Sequence, residues 1–486
     1  MAWNRETSRE RIKKSIAQCQ DIKITNYRST TDFDSLGLER AVRVDGVHVY
    51  VDIVNAEAML CSDNTESDRS HRRYLRFMHL FQRVAHGVLG KTDAIKVAFQ
   101  NQRLHFVVCD PVGDEAKRLA VAVAIAQLLI DVIERGNELH AELADAEVAV
   151  GLDTGRTLAV RNGTRGEREL LFLGNAANKA AHAVPKRSGI AVADAAKNAL
   201  GWATSRPTKV EIAACQEKAG LRIKAETLVD QWKRELRDTP LQEFQFTRPM
   251  PPLKDLDFNI LTPANSRHIE CASVYADIDG YTAYVSAHIN DDKKAEEAVR
   301  ALHVIRKELR DTLNDLGGRK VRYIGDCLHG VIARGARETD EPGTVTDALL
   351  VAGAMRDAFG IAKKELKDVD ELGLAIGVEF GPTTLTRLGV KGVRDRIAAG
   401  VAVGAAETAQ RKCSGRETGL GTNALAVLAN APKTLKILFD SAGQAEDLGY
   451  NTVTIAAEVA GDRNATAAYT SPNPPSTEFP RAHCDR

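Results

Sequence analysis

The chain has 486 residues, 44% of them hydrophobic, and its 66 Lys and Arg balance its 66 Asp and Glu. That length allows two to four domains with sizeable cores, and a formal net charge of zero removes the long-range pull toward nucleic acid or anionic lipid that a basic protein exerts. The longest apolar stretch, 119–133, carries Gln127 and Asp131, so it reads as a buried helix and not as a membrane span.

Met1-Ala-Trp-Asn-Arg opens the chain with no apolar signal-peptide core. The eight cysteines have no metal-ligand spacing, which leads us to expect reduced structural thiols in a cytoplasmic protein. A helical pattern covers 8–22 within a polar N-terminal segment, 1–40. Val47-His-Val-Tyr-Val-Asp-Ile-Val54 then reads as a strand carrying Asp52. A helix follows over 72–88, and 94–109 reads as a hairpin turning at Asn101-Gln102. After the buried helix at 114–134 come a strand at 147–155, a second hairpin arm, a basic loop at 161–168 and a small-residue helix near 176–184.

The same order then returns. A strand at 271–278 ends in acids, and the next helix sets Ala295, Ala298, Val299, Leu302, Ile305, Leu309, Leu313 and Leu316 on one face. A hairpin over 320–333 turns at Gly325-Asp326. A helix over 345–367, a strand at 372–381 and a small-residue helix at 401–411 complete the series. Asp277 lies 225 residues after Asp52, while Gly377, Gly381 and Gly400 each lie 226 after Gly151, Gly155 and Gly174. Landmarks that keep one offset over a hundred residues indicate two copies of a β-α-β-β-α-β unit, at 41–200 and 266–460. The charged helical stretch at 210–237 and a Pro-containing linker up to 265 separate them. The Pro-rich tail at 461–486 is expected to be disordered.

Ala272-Ser-Val-Tyr-Ala-Asp-Ile-Asp-Gly-Tyr-Thr282 delivers two acids to a strand end before a turn, and Arg322-Tyr-Ile-Gly-Asp-Cys327 delivers a third. Carboxylates on neighbouring strand ends suit divalent cations beside a triphosphate. These two motifs resemble the metal-binding motifs of class III nucleotide cyclases, over about 150 residues in the second copy and more weakly in the first. The resemblance implies an α+β protein in which two ferredoxin-like cyclase domains form an intramolecular pseudodimer. It also implies two Mg²⁺ or Mn²⁺ ions on Asp277, the Ile278 carbonyl and Asp326. The backbone N–H groups of Asp279, Gly280, Tyr281 and Thr282, at a helix start, suit phosphate oxygens.

The copies diverge in complementary ways. The family pattern Gly-Asn-x-x-Asn-x-x-x-Arg supplies transition-state contacts from the partner domain. The first copy reads Gly174-Asn-Ala-Ala-Asn178-Lys-Ala-Ala-His182, which keeps Asn178 and puts His182 in place of Arg; the second copy loses both contacts. The first copy keeps Asp52 but has Gln102 or a neighbour where Asp326 aligns. The resemblance therefore implies one active site per chain, with metals on the second copy and Asn178 contributed by the first. His182, Lys179 or Arg168 is the expected cation near the α-phosphate, and Lys391, Arg394 and Arg396 are expected to hold the terminal phosphates.

Adenylate cyclases of the family read the base with a Lys/Asp pair. Here the Asp position is Leu171, and Lys96 or Ala98 falls near the Lys position. Tyr50 shares a strand face with Asp52 and is expected to narrow the base pocket toward a pyrimidine. This resembles the uridylate cyclases of Pycsar anti-phage systems, which implies UTP as substrate, cyclic UMP as product, a separate cyclic-nucleotide effector protein as partner, and no nucleic-acid or membrane partner. ATP, GTP and CTP remain alternative substrates, and a homodimer is an open possibility. Asp277-Ile-Asp-Gly-Tyr-Thr also resembles the nucleophile motif of haloacid-dehalogenase-type phosphatases, which requires a parallel Rossmann-like sheet. A third alternative is a catalytically dead cyclase pair that senses a nucleotide.

Overall fold

Alternating β-branched and apolar residues from Val47 to Asp52 suit a half-buried pleated strand, and they form part of a longer one than the pattern predicts. The computed structural model describes residues 2–62, 65–162, 169–249, 253–335, 338–430 and 433–461. Arg168 and the tail expected to be disordered lie outside the described residues. After helix α1 (Arg5–Gln18), the first unit runs β1 (Arg40–Ile53), α2 (Asp68–Leu89), β2 (Ile95–Gln100), β3 (Arg103–Val108), α3 (Glu115–Asn137), β4 (Val148–Asn162), β5 (Glu169–Leu173), α4 (Asn175–Ala183) and β6 (Gly189–Val192). The second runs β7 (Ser266–Asp279), α5 (Tyr281–His288), α6 (Asp292–Asp315), β8 (Arg319–Ile324), β9 (Cys327–Ile332), α7 (Glu341–Glu365), β10 (Gly373–Leu388), β11 (Asp395–Ala399), α8 (Val401–Arg411) and β12 (Glu417–Leu420). Strands β1 and β4 extend beyond the spans expected from pattern because they pair with each other continuously, from Ala41↔Val160 to Ile53↔Val148.

The first sheet has the order β2-β3-β1-β4-β5, and the second β8-β9-β7-β10-β12 followed by a short strand, Gln444–Glu446. Neighbours along both central paths are antiparallel except β10 with β12. This arrangement excludes the parallel sheet that the phosphatase alternative requires. Helices Lys209–Ala219 and Ala225–Asp238 occupy the stretch between the units. Helix α1 docks on the second unit, where Glu308 of α6 accepts from Ser8 Oγ at 2.8 Å and pairs with Arg11 at 2.6 Å. The strand Lys23–Asn26 then joins β1 of the first sheet, so the N-terminal segment spans both units.

The units exchange strands across their seam. Leu171 and Leu173 of β5 are buried in one apolar cluster with Ile278, Tyr281 and Leu302 of the second unit. Reciprocally, Ile397 and Ala399 of β11 are buried with Phe77, Phe81 and Phe106 of the first. Each arm begins with an acid that grips the other unit's hairpin. Glu169 pairs with Lys320 at 3.0 Å and accepts from the Tyr323 N–H at 2.8 Å. Asp395 pairs with Lys96 at 2.8 Å and accepts from the Phe99 N–H at 3.4 Å.

Two glycines set how closely α4 and α8 approach the sheets. Gly151, opposite Tyr50 in the ladder, lies so near α4 that a Cβ would stand 2.1 Å from the Ala180 carbonyl oxygen. Gly377, opposite Tyr275, would place a Cβ 2.3 Å from the Ala406 carbonyl oxygen. The buried Ala176, Ala177 and Ala180 complete this close contact on α4.

Replacing Gly151 with Ala is expected to lift α4 and cost about 1–3 kcal/mol of stability, with kcat/KM falling up to about 100-fold if Asn178 moves by an ångström; chemical denaturation and steady-state kinetics check both. Burial alone would raise the Glu169 carboxyl, but Lys320, Arg306, Arg322 and the Tyr323 N–H hold it below its ordinary value of 4.5. Its stabilising contribution is therefore fully present above about pH 4.5 and is lost as pH falls through the lower folded value. Glu169→Gln, which leaves Lys320 buried without its counter-charge, is expected to lose roughly 3 kcal/mol at pH 7, with the deficit shrinking below about pH 4.5 in urea titrations.

Candidate active site

Strand β7 outruns its neighbour. Its ladder with β9 ends at Ala276↔Leu328, whereas pairing with β10 continues to Asp279↔Gly373. Asp277, Ile278 and Asp279 thus project beyond the hairpin. Gly280 adopts a φ of +81°, a left-handed conformation that costs glycine little, and it turns the chain into α5. Helix α5 is anchored by the buried Tyr281, whose hydroxyl donates to the Ala298 carbonyl at 2.8 Å. Asp326 sits at the β8–β9 turn, which Gly325 opens at φ +60°. In the first unit, Asn101 takes φ +55° at the matching position, so the turn persists while Gln102 stands where Asp326 would.

A cavity of about 700 Å³ lies between the units. Tyr50, Lys96, Ala98, Leu171 and Asn178 line it from the first unit, and Tyr281, Thr282, Asp326 and Arg394 from the second. Asn178 is exposed on α4, and the start of that helix is held by α5 through a 3.0 Å bond from the Asn175 N–H to Ser286 Oγ. His182, exposed one turn further along α4, is not among the lining residues. Lys391 is exposed on the loop before β11 and is also absent from the lining.

Burial, followed by the neighbouring negative charge of Asp277, pushes the Asp326 carboxyl well above its ordinary range. Two carboxylates that repel each other in a partly buried site form a donor set that a divalent cation relieves. Asp277 also accepts a long 3.5 Å bond from Gln410 Nε2. Asp279 turns its side chain to the Gly415 N–H at 2.9 Å, which braces the strand end. Among the described residues no group of three or more His, Cys, Asp or Glu side chains is poised around a metal. The residues present fit a site with two acid side chains and one backbone carbonyl, which leaves coordination positions for substrate oxygens and water.

The first unit's matching acid is committed elsewhere. Arg103, immediately after the β2–β3 turn, pairs with Asp52 at 2.9 Å and with Glu407 of α8 at 3.5 Å. The guanidinium neutralises the carboxylate that a metal would need. The hairpins correspond at an offset of 224, so Ala98, not Lys96, is the counterpart of Arg322. Lys96 lines the cavity with its ammonium bound to Asp395. Tyr50 borders the cavity and stacks on His105, with ring centroids 4.2 Å apart. Tyr275 and His329 repeat that stack at 4.3 Å in the second unit, so the pair is also a repeated core feature. In Arg394, Nε is buried with no hydrogen-bond partner among the described residues. Arg306, Glu169 and Arg103 are site residues that the motifs did not single out.

Residues 264–397 match the model of the adenylate and guanylate cyclase catalytic domain. A protein from Pseudomonas aeruginosa named uridylate cyclase is 41% identical over 485 residues, covering 96% of this chain and 93% of its own length. Another uridylate cyclase, from Rhizobium sp., is 33% identical over 97% of this chain and 100% of its own. The crystal structure of a class III adenylyl cyclase-like ATP-binding protein from Pseudomonas aeruginosa superposes with a TM-score of 0.89 at 41% identity, over 94% of this chain and all of that one. No helix among the described residues is long and apolar enough to cross a membrane. With relatives matched over nearly its whole length, the chain belongs to the uridylate cyclase family within the class III nucleotide cyclases, and it is a nucleotide cyclase.

Proposed function

We propose that the enzyme converts UTP into 3′,5′-cyclic UMP and pyrophosphate. The observation that carries this reading is the shared cavity, in which Asn178 of the first unit faces Asp326 of the second, together with two uridylate cyclases similar over nearly the whole chain. In the reaction the ribose 3′-oxygen forms a bond to the α-phosphorus, and the bond from that phosphorus to the bridging oxygen of the β-phosphate breaks. Asp277, Asp326 and the Ile278 carbonyl would hold two Mn²⁺ or Mg²⁺ ions. When bound, such ions lower the pKa of a coordinated hydroxyl and offset the charge of a departing polyphosphate.

The chain's own groups supply the rest. The N–H groups from Asp279 to Thr282 point their partial positive charge at phosphate oxygens. Asn178 fixes the ribose, which turns a loose encounter into an oriented one. Arg394 provides charge for the terminal phosphates. His182, one turn from Asn178, or Lys179 remains our choice for the cation at the α-phosphate. Tyr50 and Leu171 bound the base from the first unit and favour the smaller pyrimidine ring. We assign the enzyme to the cytoplasm, with a separate cyclic-nucleotide effector protein as its partner in anti-phage defence.

Incubation of the purified chain with Mn²⁺ and each of UTP, CTP, ATP and GTP, read by mass spectrometry, is expected to give cyclic UMP as the main product. ATP belongs in the set because the structurally matched protein is described as ATP-binding; a product dominated by cyclic AMP would sink the uridine assignment. Asp326→Asn is expected to abolish cyclisation of every nucleotide while leaving the metal-free thermal midpoint unchanged or higher, since it removes one of two repelling carboxylates. Calorimetry with and without Mn²⁺ checks the second half.

A further inference from the structure

Arg306 projects from α6 into the cavity wall although it is 1% exposed. Its guanidinium lies 3.6 Å over the Tyr323 ring, and the Tyr323 hydroxyl donates to the Arg306 carbonyl at 2.9 Å. Yet Nε and Nη1 are buried with no acceptor among the described residues. A guanidinium carries five donors and no acceptor, and leaving such donors unmet in a buried place is strongly unfavourable. Glu169 is the nearby counter-charge in the wall, but both of its oxygens already bind, one to Lys320 and one to the Tyr323 N–H. The fold therefore keeps a desolvated cation whose donors are available to something in the cavity.

Glu169 also limits what that ligand is. Its carboxyl is held in the ionised form by Lys320 and the neighbouring arginines despite burial. A triphosphate brought beside it would be repelled. A neutral oxygen acceptor would not. The phosphate end of the cavity is marked by Asp326, Tyr281 and Thr282, whereas Arg306 shares its wall with Glu169 and Leu171.

We infer that Arg306 is a specificity-determining residue that donates to a carbonyl oxygen on the edge of the uracil base. The inference rests on the uridine reading above. Uracil presents O4 where cytosine presents an amine, so a donor-only guanidinium accepts the first and repels the second. Stacking on Tyr323 fixes the fork in one orientation, which a flexible lysine would not keep.

The test compares wild type, Arg306→Met and Arg306→Gln with all four nucleoside triphosphates and Mn²⁺, by pyrophosphate release. Arg306→Met is expected to lower kcat/KM for UTP by roughly 10–100-fold while that for CTP changes little. Arg306→Gln, whose amide also carries an acceptor, is expected to shift the UTP-to-CTP ratio further toward CTP. An equal fall for every nucleotide in both variants would overturn the inference, because a phosphate contact or a purely structural role acts on all four alike. No change in either variant would overturn it too. If Arg306→Met does not fold, the ratio in Arg306→Gln and Arg306→Lys decides by the same criterion. Should the wild type prefer a different nucleotide, the uridine reading fails by itself; the role of Arg306 is then judged by whether the order of preference among the four changes in the variants.

Discussion

The reciprocal grip between β5 and β8 on one side, and β11 and β2 on the other, is the constraint from which the active site follows. Each arm sends two apolar residues into the neighbouring core and one acid onto the neighbouring hairpin. Neither unit buries all of its apolar surface without the other, so the cavity walls are fixed by the same contacts that stabilise the chain. At roughly 1.5–3 kcal/mol for each fully buried large side chain, four exchanged residues and two ion pairs hold the seam against thermal opening. The pocket lies between these clasps, so Asn178 and Asp326 are positioned by structure that has no part in the chemistry.

Symmetry of the scaffold contrasts with asymmetry of the chemistry. The tyrosine–histidine stack, the turn at Asn101 and Gly325, and the glycines under α4 and α8 occur in both units. The ionisable groups do not repeat. Where the second unit has Cys327 after its turn, the first has Arg103, which ties Asp52 to Glu407. An internal guanidinium thus occupies the electrostatic role of a metal, and that side of the seam is structural. On the other side, Asp277 and Asp326 keep their mutual repulsion, which is the stored cost that cation binding relieves.

Much of this was legible in the sequence because repetition leaves a fixed spacing. The offset of 225–226 revealed both units and their element order, and the two motifs picked out Asp277, Asp326 and Asn178. The seam was harder to read, since the partners in each ion pair are about 150 and 300 residues apart. Even so, the repeat contained a clue: Glu169 and Asp395 occupy matching places, as do Lys96 and Lys320, and an acid and a base that both recur suggest a contact made twice. That recurrence is enough to assign Lys96 to the seam from spacing alone. Arg306 left no comparable mark. It interrupts the apolar face of α6 with a residue that a periodicity analysis sends to solvent, and burial alone reveals it.

Tethering has a kinetic side. A catalytic centre assembled from two separate chains is lost when their concentration drops below the dissociation constant. Here the halves share one backbone, with α1 and the strand Lys23–Asn26 bridging them a second time, so their effective local concentration is set by chain length and not by copy number. A cell holding a handful of molecules would have as large a share of them competent as one holding thousands. Control over such an enzyme therefore has to act on the intact molecule, because scarcity cannot switch it off.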